Sequence, residues 1–133
     1  MRLHSLLLVA TLGATALPAT AQDAETGRAL YVDFCAVCHG DAGRGDGTMA
    51  EVLTVAPTDL TTLAAAGAFP VLRVAEQIDG RRPLRAHGGD MPIFGAWFEG
   101  AGPDVALPGP GGQPVLMSRP VADLVAYLQE IQS

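Results

Sequence analysis

The sequence predicts an all-α domain. Three segments carry apolar residues at spacings of three and four, the pattern of amphipathic helices, and no segment reads as a strand or an internal repeat. The apolar stripes comprise Leu30, Tyr31 and Phe34 in the first segment, Val71, Val74, Ala75 and Ile78 in the second, and Val121, Leu124, Val125, Leu128 and Ile131 in the last. A chain of 133 residues makes one domain with a modest core, so we expect a few short helices to share it.

The first 21 residues have the order of a secretory signal peptide. Arg2 precedes an apolar run, and small residues precede the expected cleavage point after Ala21. The run is too short and too weakly apolar for a membrane span. We therefore predict a cleaved signal peptide over residues 1–21, a mature domain over residues 22–133 and a periplasmic location, with an uncleaved anchor as the alternative.

Capping residues mark the ends of the three main helices. They are Asp23 before the first helix, Pro70 and Gly80 at the two ends of the second, and Ser118 followed by Pro120 at the start of the last. Two shorter helices are predicted over residues 49–55 and 58–66, the latter with Thr58 as its cap. The remaining regions read as connections between these helices.

Three such connections are predicted. Residues 40–47 are rich in Gly and read as a flexible turn, because the Gly-Lys-Ser/Thr ending of a phosphate-binding loop is missing. Residues 81–100 are loop-like. Residues 99–118 are rich in Gly and Pro and show no period, so we expect an irregular surface excursion.

The central feature is the pentapeptide Cys35-Ala36-Val37-Cys38-His39, which matches the Cys-x-x-Cys-His pattern of covalent haem attachment. On a helical turn the two thiols and the imidazole converge on one side. The thiols of Cys35 and Cys38 can form thioethers with the porphyrin, while His39 takes one axial position on the iron. The motif predicts one covalently bound haem c, around which the helices are wrapped.

Other interpretations of the two cysteines are weaker. A zinc site would need more ligands than His39, His4 and His87 can provide. A thioredoxin-like pair should follow a buried strand, but the residues before Cys35 carry a helical pattern. A disulfide to Cys38 would close a very short loop and would stabilise little. Thioether bonds also consume both thiols, which suits an oxidising compartment.

Met91 is the best candidate for the sixth iron ligand. It stands in a flexible Gly-Gly-Asp approach and is followed by Pro92. Met49 lies on a short apolar helix and is expected in the core of the protein, and Met117 lies at the head of the last helix. His87 is the main rival, because imidazole also binds haem iron strongly. We predict His39 and Met91 as the axial pair.

The formal net charge of the chain is −6 and every basic residue is Arg. Removal of Arg2 with the signal peptide leaves seven Arg against fourteen acidic residues, a charge of −7. This balance argues against nucleic acid and anionic membranes as partners. It favours a protein partner with a basic docking face.

One basic cluster comprises Arg81, Arg82 and Arg85, shortly before Met91. Since a guanidinium group binds carboxylates through a rigid fork, Arg85 is a candidate for holding a haem propionate. The indole N–H of Trp97 could donate to the same group. The alternative is that these arginines balance nearby acids and that Trp97 packs against the haem edge or the core.

Together these motifs resemble class I c-type cytochromes of the small exported bacterial kind. The matching features are the Gly27-to-Tyr31 spacing, residues 35–40, residues 43–47, Met91-Pro92 and Tyr127-Leu128. The resemblance implies that the first and last helices cross at Gly27 and Tyr127. It also implies that a proline carbonyl supports the proximal nitrogen of His39, and Pro57 is the candidate for that role.

The ligand pair determines the expected function. With His39 and Met91 on the iron, both axial positions are filled and no substrate binds there. We therefore predict an electron carrier, not an enzyme, that is monomeric and exchanges electrons with redox partner proteins. The alternatives are the electron-entry subunit of a larger oxidoreductase complex and, less favoured, a haem enzyme or gas-binding protein with a labile sixth ligand.

Overall fold

The computed structural model describes residues 22–81 and 91–133. Its helices are α1 (Ala24–Phe34), α2 (Ala36–His39), α3 (Val71–Asp79), α4 (Gly95–Phe98) and α5 (Arg119–Glu130), and its strands are β1 (Val105–Pro108) and β2 (Pro114–Met117). The proposed signal peptide over residues 1–21, together with Arg82, Arg85 and His87, lies outside the described residues. Within the described ranges, no helix has the length and apolar character that crossing a bilayer requires.

The crossing of α1 and α5 is the main packing contact of the fold. Gly27 lies against the backbone of Asp123, where there is no room for a Cβ atom. The rings of Tyr31 and Tyr127 pack in a tilted arrangement with centroids 5.1 Å apart. These contacts confirm the expected crossing at Gly27 and Tyr127.

The predicted caps Asp23 and Gly80 and the apolar stripes of the three main helices are confirmed, whereas Pro70 lies just before α3 and Ser118 precedes α5 without a side-chain capping hydrogen bond. The Asp23 carboxylate accepts hydrogen bonds from the backbone N–H groups of Glu25 and Thr26 at 2.9 and 3.2 Å. Gly80 ends α3 in the left-handed conformation at φ 83°. The buried stripes are Tyr31 of α1, Val74, Ala75 and Ile78 of α3, and Val121, Leu124, Val125 and Leu128 of α5.

Residues 99–118 differ from the predicted irregular excursion, because they contain an antiparallel hairpin. Val105 of β1 pairs with Met117 of β2, and Leu107 pairs with Val115. All four of these side chains are buried while their neighbours in the strands are exposed. The two-residue alternation spans only four residues in each strand and is flanked by Gly and Pro, so the pattern was too short to predict strands.

The short helices were predicted less accurately. Residues 49–55 and 58–66 each contain a single 3₁₀ turn, Ala50–Val52 and Leu60–Thr62. The cap of the second turn is Asp59 instead of Thr58, since its carboxylate accepts from Thr61 N–H at 2.9 Å.

The side chain of Met49 is 42% exposed, so its expected place in the core is wrong. The loop-like region 81–100 also contains the one-turn helix α4. Phe94 and Phe98 lie at the two ends of this turn, and their rings stack with centroids 5.9 Å apart.

Candidate haem site

A cavity of about 550 Å³ opens between the helices. Cys35, Cys38, His39 and Met91 all line it, although Met91 is more than fifty residues from the others in the chain. Most of the remaining lining is apolar and includes Phe34, Leu53, Leu63, Ile78, Phe94 and Leu124. The structure therefore gathers two thiols, an imidazole and a thioether around one largely apolar space.

The Cys-x-x-Cys-His motif is presented by α2. The backbone N–H groups of Cys38 and His39 donate to the carbonyl of Cys35 at 3.1 and 2.9 Å, and this turn brings the three side chains to the same cavity. The two cysteines are not joined to each other. Burial raises the pKa of the Cys35 thiol to about 11, with a smaller contribution from Cys38. The Cys35 thiol is therefore neutral around pH 7.

The glycine loop after the motif closes tightly on α2. The N–H of Gly45 donates to the carbonyl of His39 at 2.8 Å, and the N–H of Gly47 donates to that of Cys38 at 3.1 Å. From α1, the hydroxyl of Tyr31 donates to the carbonyl of Gly40 at 2.6 Å. Burial raises the pKa of Tyr31 above its usual value, so the phenol remains a donor. The motif is thus held by both its own loop and α1.

The orientation of His39 is set by a backbone carbonyl. Its ring is 9% exposed, and Nδ1 lies 2.9 Å from the carbonyl oxygen of Thr58. A carbonyl only accepts hydrogen bonds, so Nδ1 carries a proton, and in the neutral imidazole the lone pair is then on Nε2. A neutral imidazole with a free Nε2 and a carbonyl partner on Nδ1 is the form that binds metals.

This contact corrects the expectation for Pro57. The carbonyl oxygen of Pro57 faces Gly45, where it leaves no room for a Cβ atom, and the next carbonyl along the chain, that of Thr58, meets His39. Pro57 does line the cavity. Its neighbour Thr58 supplies the oxygen instead, because the Pro57 carbonyl is turned toward Gly45.

Gln77 is a site residue that the sequence reasoning missed. Its side-chain Nε2 donates to the sulfur of Met91 at 3.8 Å, and both residues line the cavity. Position 77 lies three residues after Val74, on the apolar face of α3. A polar residue at such a position was the signal that could have identified it.

Other predicted residues lie away from the cavity or outside the described ranges. Trp97 is 72% exposed, is not among the cavity-lining residues, and packs its ring edge-to-face against Phe34 at 6.0 Å. Met117 is buried in the hairpin. Arg81 forms an ion pair with Asp79 at 2.6 Å, in line with the alternative that these arginines balance nearby acids. Arg85 and His87 fall in the part of the chain that is not described.

The donor set fits a c-type haem better than a bare metal ion. In residues 22–81 and 91–133 there is no group of three His, Cys, Asp or Glu side chains that could hold an ion. The two thiols suit thioether bonds, the imidazole and thioether suit iron, and the apolar walls suit a porphyrin.

Comparison with known proteins agrees with this geometry. The family model described as Cytochrome c matches residues 24–132, which is nearly all of the described chain. No curated protein and no solved structure gives a significant match. The chain belongs to the cytochrome c family, whose members are electron-transfer proteins with a covalently bound haem c.

Proposed function

We propose that this chain is an exported, single-haem electron carrier with His39 and Met91 as its axial ligands. In this proposal Cys35 and Cys38 form the thioether bonds. The family assignment supplies the electron-transfer function and the haem c. The ligand pair, the role as a free carrier and the periplasmic location are the parts that we propose.

The observation that carries the proposal is the shared cavity of His39 and Met91. The Thr58 carbonyl leaves Nε2 of His39 as the ring nitrogen with a free lone pair. The sulfur of Met91 belongs to the same cavity and is already contacted by Gln77. Two protein atoms of the types that ligate haem iron are therefore available on the walls of one space.

The haem, when bound, supplies an iron that cycles between the ferric and ferrous states. The residues around the haem determine its reduction potential. A neutral, soft thioether such as Met91 favours the ferrous state and raises the reduction potential relative to a second imidazole. The apolar walls exclude water, which also disfavours the more highly charged ferric form.

The surface chemistry supports exchange of electrons with another protein. Val37 and Val55 line the cavity and are also about half exposed, so they form an apolar rim at its mouth. The rest of the chain is acidic, with a net charge of −6 including the proposed signal peptide. We propose that the redox partner presents a basic face around an apolar centre, and that the carrier itself is a monomer.

Mass spectrometry and absorption spectroscopy test the proposal. The exported protein should begin at Gln22 and retain one haem mass under denaturing conditions. The ferric protein should show the weak long-wavelength band of sulfur-to-iron charge transfer, and Met91→Ala should remove it.

Met49→Ala and Met117→Ala are the matched controls and should keep the band. Its persistence in Met91→Ala, or loss of coordination in His87→Ala, would reject Met91 as the ligand. A haem that is extractable with acid acetone would reject the thioether bonds to Cys35 and Cys38.

A further inference from the structure

The segment that supplies the proximal carbonyl has little regular structure of its own. Residues 58–66 contain one 3₁₀ turn, Leu60–Thr62. Thr58 nevertheless provides the oxygen that pairs with His39, and Leu60 and Leu63 line the cavity. Because no helix or strand ladder holds this segment, its bonds to other elements determine its position.

Gln132 makes three hydrogen bonds, two to this segment and one to α5. Its Oε1 accepts from the backbone N–H of Ala64 at 2.9 Å, while Nε2 donates to the carbonyls of Leu60 at 2.8 Å and Leu128 at 2.5 Å. Both amide hydrogens are therefore used, together with the carbonyl oxygen. Next to it, the N–H of Ser133 donates to the carbonyl of Thr61 at 3.0 Å.

These bonds connect two walls of the cavity. Leu128 belongs to the last turn of α5, where carbonyls lack a partner within the helix. Leu124 and Leu128 of α5 line the cavity, as does Leu60 of the facing segment. The side chain of Gln132 links the end of α5 directly to residues 60–64, beside the bond from Ser133 to Thr61.

We propose that Gln132 is a positioning residue for the proximal side of the site. It holds residues 58–66 against α5 and so keeps the Thr58 carbonyl within hydrogen-bonding distance of Nδ1 of His39. The inference rests on the proposed role of His39 as an axial ligand. A hydrogen bond from Nδ1 strengthens electron donation by Nε2, so movement of Thr58 changes the ligand as well as the stability of the fold.

Gln132→Ala in the haem-loaded protein tests this role, with Gln129→Ala as the matched control at an exposed position near the end of α5. In Gln132→Ala the amide of Ala64 should exchange with solvent about tenfold faster or more, because its acceptor is lost. The His39 Nδ1 proton should also exchange faster. The reduction potential should rise, since weaker donation from His39 disfavours ferric iron. Gln129→Ala should change none of the three.

Two outcomes would overturn the proposal. Faster exchange at Ala64 with an unchanged His39 proton and potential would assign Gln132 a purely structural role. If none of the three measurements changes, Gln132 does not hold this segment in place at all. Failure of the proposed function is visible separately, because wild-type protein would then lack either the covalent haem or haem-shifted resonances of His39.

Gln132→Glu provides a second test within one folded protein. At low pH the introduced carboxyl group can still donate one hydrogen bond, but after ionisation it faces the Leu60 and Leu128 carbonyls with no donor. Relative to wild type, the exchange rates of the Ala64 amide proton and of the His39 Nδ1 proton should therefore change as that carboxyl group titrates. Gln129→Glu adds the same charge at an exposed position. The same pH response in both variants would overturn the proposal.

Discussion

The backbone of Gly27 in α1 packs directly against the carbonyl group of Asp123 in α5. In an isolated helix, replacing Gly by Ala stabilises by about 1 kcal/mol. At this crossing the added methyl group overlaps with backbone that cannot move without separating the helices.

Gly27→Ala should therefore lower the free energy of unfolding by about 2 kcal/mol or more. Urea denaturation measures this change. The adjacent exposed substitution Arg28→Ala should stay within about 0.5 kcal/mol of wild type. An equal or higher stability of Gly27→Ala would contradict the observed crossing.

Asp123 should make the stability of the fold depend on pH. Its side chain is 3% exposed and accepts from the backbone N–H of Asp23 at 2.7 Å. Burial raises the pKa of Asp123 above its ordinary value of 3.8, although the N–H of Asp23 and the charge of Arg119 act in the opposite direction.

A carboxyl group whose pKa is raised by folding stabilises the native state fully below its unfolded pKa, and that contribution is lost as pH rises through the folded pKa. Relative to Asp123→Asn, wild-type protein should become less stable from about pH 3.8 upward. Urea unfolding at several pH values measures the difference. A difference that is constant with pH would contradict the raised pKa.

If Met91 is the sixth ligand, as we propose, Gln77 should influence its bond to the iron. Gln77→Leu keeps the volume but removes the N–H that points at the sulfur. A hydrogen bond to the sulfur draws electron density from the ligand and favours ferrous iron, so its loss should lower the reduction potential. The change should correspond to about 1 kcal/mol or less.

Voltammetry measures that shift, and Gln129→Leu is the control, since Gln129 is exposed on α5 and is not among the cavity-lining residues. A potential unchanged in Gln77→Leu would show that the contact is lost or irrelevant when haem is bound.

Arg85 remains the predicted partner of a haem propionate. Arg85→Gln should lower the reduction potential, because a cation near the haem disfavours the ferric state. Arg28→Gln is the control, since Arg28 is exposed on α1. Unchanged potentials in Arg85→Gln and in the equivalent variants of Arg81 and Arg82 would reject the propionate role.

Electron transfer to a protein with a lysine-rich docking face should slow as salt rises. The chain is acidic and attraction between exposed charges is screened over about 10 Å at 0.1 M salt. Stopped-flow rates should fall about tenfold or more between low and high salt. Reduction by a neutral small molecule is the control. A salt-independent rate with the protein partner would reject electrostatic docking.

Short-range patterns were sufficient to predict the three main helices and the motif. Caps such as Asp23 and Gly80 act on backbone groups a few residues away, and Cys35 and His39 come together within one helical turn. Interactions of this kind depend on spacing alone. The family could be predicted for the same reason, since its most specific signature is a single pentapeptide.

Contacts between distant residues could be settled only by the tertiary structure. Whether Pro57 or Thr58 faces His39 depends on the path of an irregular segment held by Gln132, which is 68 residues from its partner Ala64. The pairing of Val105 with Met117 likewise depends on tertiary contacts. The buried side chains of these short strands belong to the same core as those of α5. Such positions are decided by packing and hydrogen-bond satisfaction across the fold, and neither of these leaves a periodic trace in the sequence.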